Sequence, residues 1–367
     1  MHKLFRLLAL LCALALVAAA CGGDDESLDQ AADTSPATTA STTTQAPTTT
    51  VEATTTTEAP SGPIQPLTGE PAPNGPNDHS AVVVKVSNND TVARDAFLGL
   101  DQADIIFEER IEVNATRFAA VFHSSLPTEV GSVRSGRTSD VQIVANLGNP
   151  VFAISGANDG VNDQLRTAEN DGLLVRASNE FGDPEFRRIT EFTAPNNLVV
   201  DTAALLDKAE GGEAPNPIFD YSNNLDELGQ RAGGVLVRAR DDSAFIWDED
   251  VAGYLRFDAG IQSFNRDGTE IAPQNVVILT TAYVSSQIDA ESIDAVTVGE
   301  GPVVVYSNGR MVQGRWNRGF ERDAYTLVTN DGETIGLAPG QTWVALAPSG
   351  SNSNLNRAAA DAILNGG

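Results

Sequence analysis

Residues 103–140 read ADIIFEERIEVNATRFAAVFHSSLPTEVGSVRSGRTSD. Two β-branched and aromatic runs, 103–110 and 116–123, flank a short polar stretch, the pattern of two strands joined by a tight connection. Centring the turn between Glu112 and Val113 sets Phe107 opposite Phe118 and Ile105 opposite Ala120 on one side, and Glu108 opposite Arg117 on the other. This alignment keeps apolar pairs together, and a slip of one residue would bury the charges. After a loop at 126–129 comes Gly131-Ser132-Val133-Arg134-Ser135-Gly136-Arg137, and Thr138, Ser139 and Asp140 offer N-caps for a helix over 141–147. Backbone N–H groups at a helix start, with two arginines just before them, make a cradle for an anion. Asp104, Glu108 and Glu109 put carboxylates in the same stretch as Arg117, Arg134 and Arg137. The Glu108–Arg117 pair reads either as a cross-strand ion pair, worth little if exposed, or as a carboxylate that orients an arginine at a site.

Upstream, the run at 81–86 reads as a buried strand ended by a turn at Asn88-Asn89-Asp90. Downstream, strands at 151–155, 173–176 and 196–200 alternate with helices at 161–167 and from Asp201-Thr202 through 209. Alternating strands and helices over 64–214 predict an α/β sandwich. A Gly/Pro-rich stretch at 211–217 marks a boundary. Beyond it, 215–350 carries short apolar runs at 245–247, 254–257, 276–280, 303–306, 311–316, 325–328 and 342–346. Turn signals such as Arg266-Asp267-Gly268, Asn308-Gly309 and Asn330-Asp331-Gly332 separate them. This half is predicted mainly β, a curled sheet or partial barrel, so the chain as a whole is α/β followed by β. Trp316 and Trp343 are expected in its core. Residues 351–367 read as a tail that is flexible from 349 to 354 and ends in a short helix at 358–364.

The start of the chain sets its address. Lys3 and Arg6 precede an apolar run over 7–20, too short to span a bilayer and shaped like the core of a signal peptide. Cys21 follows Ala18-Ala19-Ala20 at once, as in a bacterial lipobox. Cys12 lies inside the leader, so the mature chain keeps Cys21 alone and closes no internal disulfide. A lone cysteine at a mature N-terminus is the natural acceptor of acyl chains, and two chains anchor stably. Residues 21–63 are rich in Thr, Ala and Pro with little apolar bulk, and read as a disordered tether. The chain has 367 residues and a net charge of −27. Such a balance repels phosphate backbones and anionic membranes, which excludes nucleic acid as a partner and leaves membrane contact to the lipid.

Several stretches together resemble the YerB-type bacterial lipoproteins: PLTG at 66–69, KVSNN at 85–89, LDQADIIFEE at 100–109, TRFAAVFHS at 116–124, GSVRSGR at 131–137, APNNL at 194–198 and GRW with LAPGQTWVALAP at 314–348. They occur in the family's order from about 64 to 348. The resemblance implies a two-part domain on a lipid-anchored extracytoplasmic protein, and implies no activity. The chain departs from the family pattern at Ser87, where an acid is usual, and at Asp101, where an asparagine is usual.

The side chains available narrow the chemistry. Histidines are His2, His79 and His123, and no Cys/His cluster supports a zinc site. Ser135 has no nucleophile elbow around it, and no glycine loop of a nucleotide-binding kind occurs. Asn158 to Asp163 and Asp248-Glu249-Asp250 lack calcium-loop spacing. Neither a metal nor a cofactor is expected. The reading is a cell-envelope protein, held to the membrane through Cys21, that binds an anionic cell-wall component, peptide or envelope protein. Arg117, Arg134, Ser135, Arg137, Asp140 and Asn88 are the expected binding residues. The alternative is an enzyme, a hydrolase or a phosphoryl or glycopolymer transferase, acting on an anionic envelope polymer or phospholipid-linked glycan, with the arginines clamping phosphate and Asp104 or Glu108 handling a proton or Mg²⁺.

Overall fold

The computed structural model describes residues 62–209 and 212–366. The leader, Cys21 and nearly all of the expected tether lie outside the described residues. The β-branched runs Val82–Asn88, Ile105–Arg110 and Thr116–Phe122 are strands, almost entirely buried. They belong to an eleven-stranded mixed sheet. Across it the order is Thr326–Thr329, Arg310–Arg318, Gly299–Ser307, Asn275–Thr280, Thr342–Ala347, Ile105–Arg110, Thr116–Phe122, Val82–Asn88, Val151–Ile154 and Val175–Ser178, with Gln230–Arg231 added beside Arg310–Arg318. Thr342–Ala347 is parallel to both its neighbours, so a strand from late in the chain hydrogen-bonds directly to one from its first third.

Helices cover one face of this sheet. Val141, Ile143 and Val144 of Asp140–Val144, and Val161, Leu165 and Ala168 of Asp159–Asn170, pack on Val83, Ile105, Phe107, Ala119 and Val121. The other face is covered in part by a five-stranded antiparallel sheet built from Gly234–Val237, Ser243–Asp248, Gly253–Asp258, Ile261–Gln262 and Asn352–Leu355. Its Phe245 and Tyr254 join the core around Phe118 and Trp343. Helix Arg357–Leu364 seals the outer side of the small sheet through Ala360. Trp316 and Trp343 are core residues, as expected.

Three expectations need correcting. First, the hairpin register is one residue away from the predicted one: Ile105 pairs with Val121, Phe107 with Ala119, Glu108 with Phe118 and Glu109 with Arg117. The connection is longer than the turn assumed, with a short 3-10 turn at Glu112–Asn114 and positive φ at Val113 and Asn114. The argument that a slip would bury charge assumed one wet face. Here both faces are covered, and Glu108, Glu109 and Arg117 are all buried. Second, the β-rich half does not curl into a barrel of its own. Five of its longer strands extend the large sheet instead. Third, residues 352–354, expected to be flexible, lie with Leu355 on a strand that pairs with Gly234–Val237. An edge strand needs only its backbone to be held, so its polar side chains gave no signal.

Candidate functional site

The face of Val82–Asn88 that carries Val83 also carries Lys85 and Ser87. Lys85 is fully buried and its ammonium contacts both Glu109 and Asp140. Asp140 also accepts the backbone N–H of Arg137 at 2.6 Å, so its carboxylate ties the start of the helix to the sheet. Ser139, the residue before the helix, makes no side-chain cap. Burial is the main influence raising the Glu109 carboxyl above the usual range, opposed by Lys85 and reinforced by Asp140.

Arg117 stands between Ser87 and Glu109 on the adjoining strands. It is 2% exposed. Its Nη1 donates to the Ser135 carbonyl at 2.9 Å and its Nη2 reaches Asn89 Oδ1 at 3.5 Å, a long contact. The segment 134–136 lies along the ends of two parallel strands. Arg134 N donates to the Lys85 carbonyl at 2.8 Å, Ser155 N to the Arg134 carbonyl at 3.0 Å and Gly136 N to the Gly156 carbonyl at 3.0 Å. The position is the carboxyl end of Val82–Asn88 and Val151–Ile154, where open α/β sheets form their crevices. Arg137 donates to Glu112 Oε2 at 3.1 Å and to the Gly136 carbonyl at 3.1 Å.

The three arginines are therefore brought together. Burial, then Arg137 and then Arg134, push the Arg117 guanidinium down to about 9, and burial followed by Arg137 lowers that of Arg134. Among the described residues, neither Arg117 nor Arg134 has a carboxylate within 4.0 Å, whereas Lys85 takes Glu109 and Asp140, and Arg137 takes Glu112. The Nε of each of the three arginines is buried without a partner. Ser135 Oγ lies 3.4 Å from Ser155 Oγ.

Glu108 and Asn88 face the other way. Glu108 accepts from Trp343 Nε1 at 2.9 Å and Thr116 Oγ1 at 2.8 Å, and lies 3.5 Å from Arg256. Asn88 donates to Thr116 Oγ1 at 2.7 Å. Arg256, fully buried, packs over Trp343 at 4.6 Å and Phe118 at 5.0 Å and pairs with Asp258. This network joins the small sheet to the large one. Asp104 sits at the opposite end of its strand from Glu109, roughly 16 Å away at the usual rise per residue. It accepts the N–H of Ser124 at 2.9 Å and the Ser124 hydroxyl, and burial raises its carboxyl to about 6. Nearby His123, whose ring centroid is 4.9 Å from that of His79, is lowered to about 4, mainly by burial. Asp104, Glu108 and Asn88 are thus not beside the arginines. Strand alternation sends Glu108 and Asn88 to the far face, and strand length removes Asp104.

Two segments match one family: "Protein of unknown function (DUF3048) N-terminal domain" over residues 67–214 and the corresponding C-terminal domain over residues 235–344. The chain belongs to the DUF3048 family. A relative from Bacillus subtilis (strain 168), named "Putative lipoprotein YerB", is 27% identical over 290 residues, which cover 72% of this chain and 81% of that protein. The crystal structure of YerB protein from Bacillus subtilis matches with a TM-score of 0.68 at 23% identity, over 79% of this chain and 99% of that one. That likeness is one of fold.

All the charged residues of the arginine cluster fall in the N-terminal DUF3048 segment. Arg256, which fastens Glu108, comes from the C-terminal segment. Sequence reasoning missed Lys85 and Arg256 as organising residues. Lys85 had a readable signal: a lone ammonium inside the run VVVKV, in a chain with only two other lysines, Lys3 and Lys208. Such a residue is rarely buried unless paired. Arg256 had none beyond Asp258 two residues on, because Glu108, Phe118 and Trp343, which it joins to the small sheet, come from strands far away in sequence.

Proposed function

We propose that this DUF3048 protein is a lipid-anchored extracytoplasmic protein of the cell envelope that binds an anionic glycan, peptide or protein partner through Arg117, Arg134 and Arg137. The observation that carries the reading is the pair of guanidinium groups, Arg117 and Arg134, held close to Arg137 with no carboxylate of their own among the described residues. Bringing like charges together is unfavourable, Glu109, Glu112 and Asp90 offset that cost only from beyond contact distance of Arg117 and Arg134, and an incoming anion offsets it directly. The anchor rests on Cys21 directly after an apolar run and on the name of the Bacillus subtilis relative. The enzyme reading loses its general acid, since Asp104 and Glu108 lie elsewhere and Glu109 is engaged by Lys85.

The test has two parts. The full chain expressed in a bacterial host should partition into detergent and gain acyl mass, and Cys21→Ser should do neither. Cell-wall fragments bearing anionic polymers should retain the protein, fragments stripped of those polymers should not, and an Arg117→Gln/Arg134→Gln double variant should be retained by neither. Equal retention of the double variant contradicts the binding reading.

A further inference from the structure

The arginine cluster also constrains the shape of its guest, and this inference rests on the anion-binding reading above. The site is rich in hydrogen-bond donors. Guanidinium groups donate and never accept. Arg134 has no side-chain partner among the described residues, Arg117 keeps a buried Nε free, and Arg137 keeps another. Buried hydroxyls of Ser87, on the strand beside that of Arg117, and of Ser132 and Thr138, in the segment that carries the two loop arginines, are also without partners, and each can donate. Most of the nearby acceptors are committed: Asp140 to Lys85, Glu112 to Arg137 and Ser292, and Glu109 to Lys85 through Oε1, while Glu109 Oε2 is buried without a partner.

A carboxylate brings one charge and two coplanar oxygens, which a single arginine fork satisfies. Three forks from two different segments, a strand and a loop, leave donors over. A phosphoryl group sets its oxygens in a tetrahedron, three non-bridging ones in a monoester or two non-bridging and two bridging ones in a diester, so forks can reach it from several directions, and it is the guest that fills such a set. We infer that Arg117, Arg134 and Arg137 form a phosphoryl-binding site, and that the recognised partner presents a phosphate ester. Arg134, half-buried and unpaired, is the residue that meets the guest first. Arg117, locked between Ser87 and Ser135, is the fixed wall.

The chemistry is shared by a phosphodiester of a wall polymer, a phospholipid headgroup and free phosphate, so the experiment separates them. The full chain in nonionic detergent is titrated calorimetrically with inorganic phosphate, glycerol phosphate and acetate at matched ionic strength. The unacylated full chain carrying Cys21→Ser, free of detergent, is then floated with phosphatidylglycerol or phosphatidylcholine vesicles. The phosphates should bind at least tenfold more tightly than acetate. Arg134→Gln should lose at least tenfold of that affinity, and Arg134→Lys should recover part of it, because charge returns without the fork. Flotation with phosphatidylglycerol that free phosphate competes away assigns the headgroup. Soluble esters bound without flotation assign the polymer. Acetate binding as tightly as phosphate overturns the phosphoryl assignment and leaves the anion site standing. Binding of neither overturns both. Phosphate binding that survives in Arg134→Gln, with the variant's circular dichroism unchanged, overturns the assignment to these residues.

Discussion

Lys85 and Asp104 show how differently two buried charges are managed. Lys85 is compensated twice, by Glu109 and Asp140. Removing one member of a buried ion pair leaves the others uncompensated and typically costs about 3–5 kcal/mol. Lys85→Met should therefore lower stability by about that amount, read as a shift in the urea midpoint. Among the described residues Asp104 has no cation within 4.0 Å, and its donors are Ser124 and the backbone of His123. Its carboxyl is raised from 3.8 to about 6 by burial. A raised acid binds its proton more tightly in the folded state, so its favourable contribution is complete below pH 3.8 and is lost as pH rises through about 6. By pH 7 the ionised group costs about 3 kcal/mol. Asp104→Asn should accordingly gain stability relative to the parent between pH 4 and pH 7, and denaturant melts across that range measure it. Neither environment was legible from the sequence. VVVKV marked Lys85 as unusual without naming its partners, and Asp104 looked like one of three acids beside the arginines until strand length separated them.

Elements were easier to read than their neighbours. The apolar runs at 81–86, 103–110, 151–155, 276–280 and 342–346 all lie on strands, because β-branched stretches between turn signals have few other uses. The Asn308-Gly309 signal is a hairpin turn with φ of +50° and +67°, joining Gly299–Ser307 to Arg310–Arg318. A Cβ on Gly309 would stand 2.7 Å from Trp247 Nε1, in a backbone region that already disfavours side chains. Gly309→Ala should cost about 1–3 kcal/mol, with the fluorescence of Trp247 reporting the shift at that turn. What the pattern could not supply was register. Alternation fits equally well one residue either way when both faces of a sheet are buried. The choice between Glu108 and Glu109 as the partner of Arg117 depended on the length of the turn at Glu112–Asn114.

At the scale of the molecule, the large sheet runs through both DUF3048 segments, because Thr342–Ala347 lies beside Ile105–Arg110. Composition showed two textures but not that they share one sheet, since strand order is fixed by contacts between distant residues. The convergence of Arg117 with Arg134 and Arg137 was anticipated from the Gly/Ser/Arg loop, and the burial of Arg117 was not. In a chain of net charge −27, Arg117 and Arg134 have no carboxylate within 4.0 Å among the described residues, and on the anion-binding reading they are kept at a cost to stability. A residue retained only to hold the fold would behave in the opposite way, and thermal melting of the parent and Arg134→Gln with and without inorganic phosphate separates the two. The account predicts that Arg134→Gln melts at the same temperature or about 1–3 °C higher in phosphate-free buffer, and that phosphate raises the midpoint of the parent alone, by about 2.7 kcal/mol of added stability at a hundredfold excess over Kd. A variant that melts lower without phosphate, while both proteins ignore the anion, would contradict it.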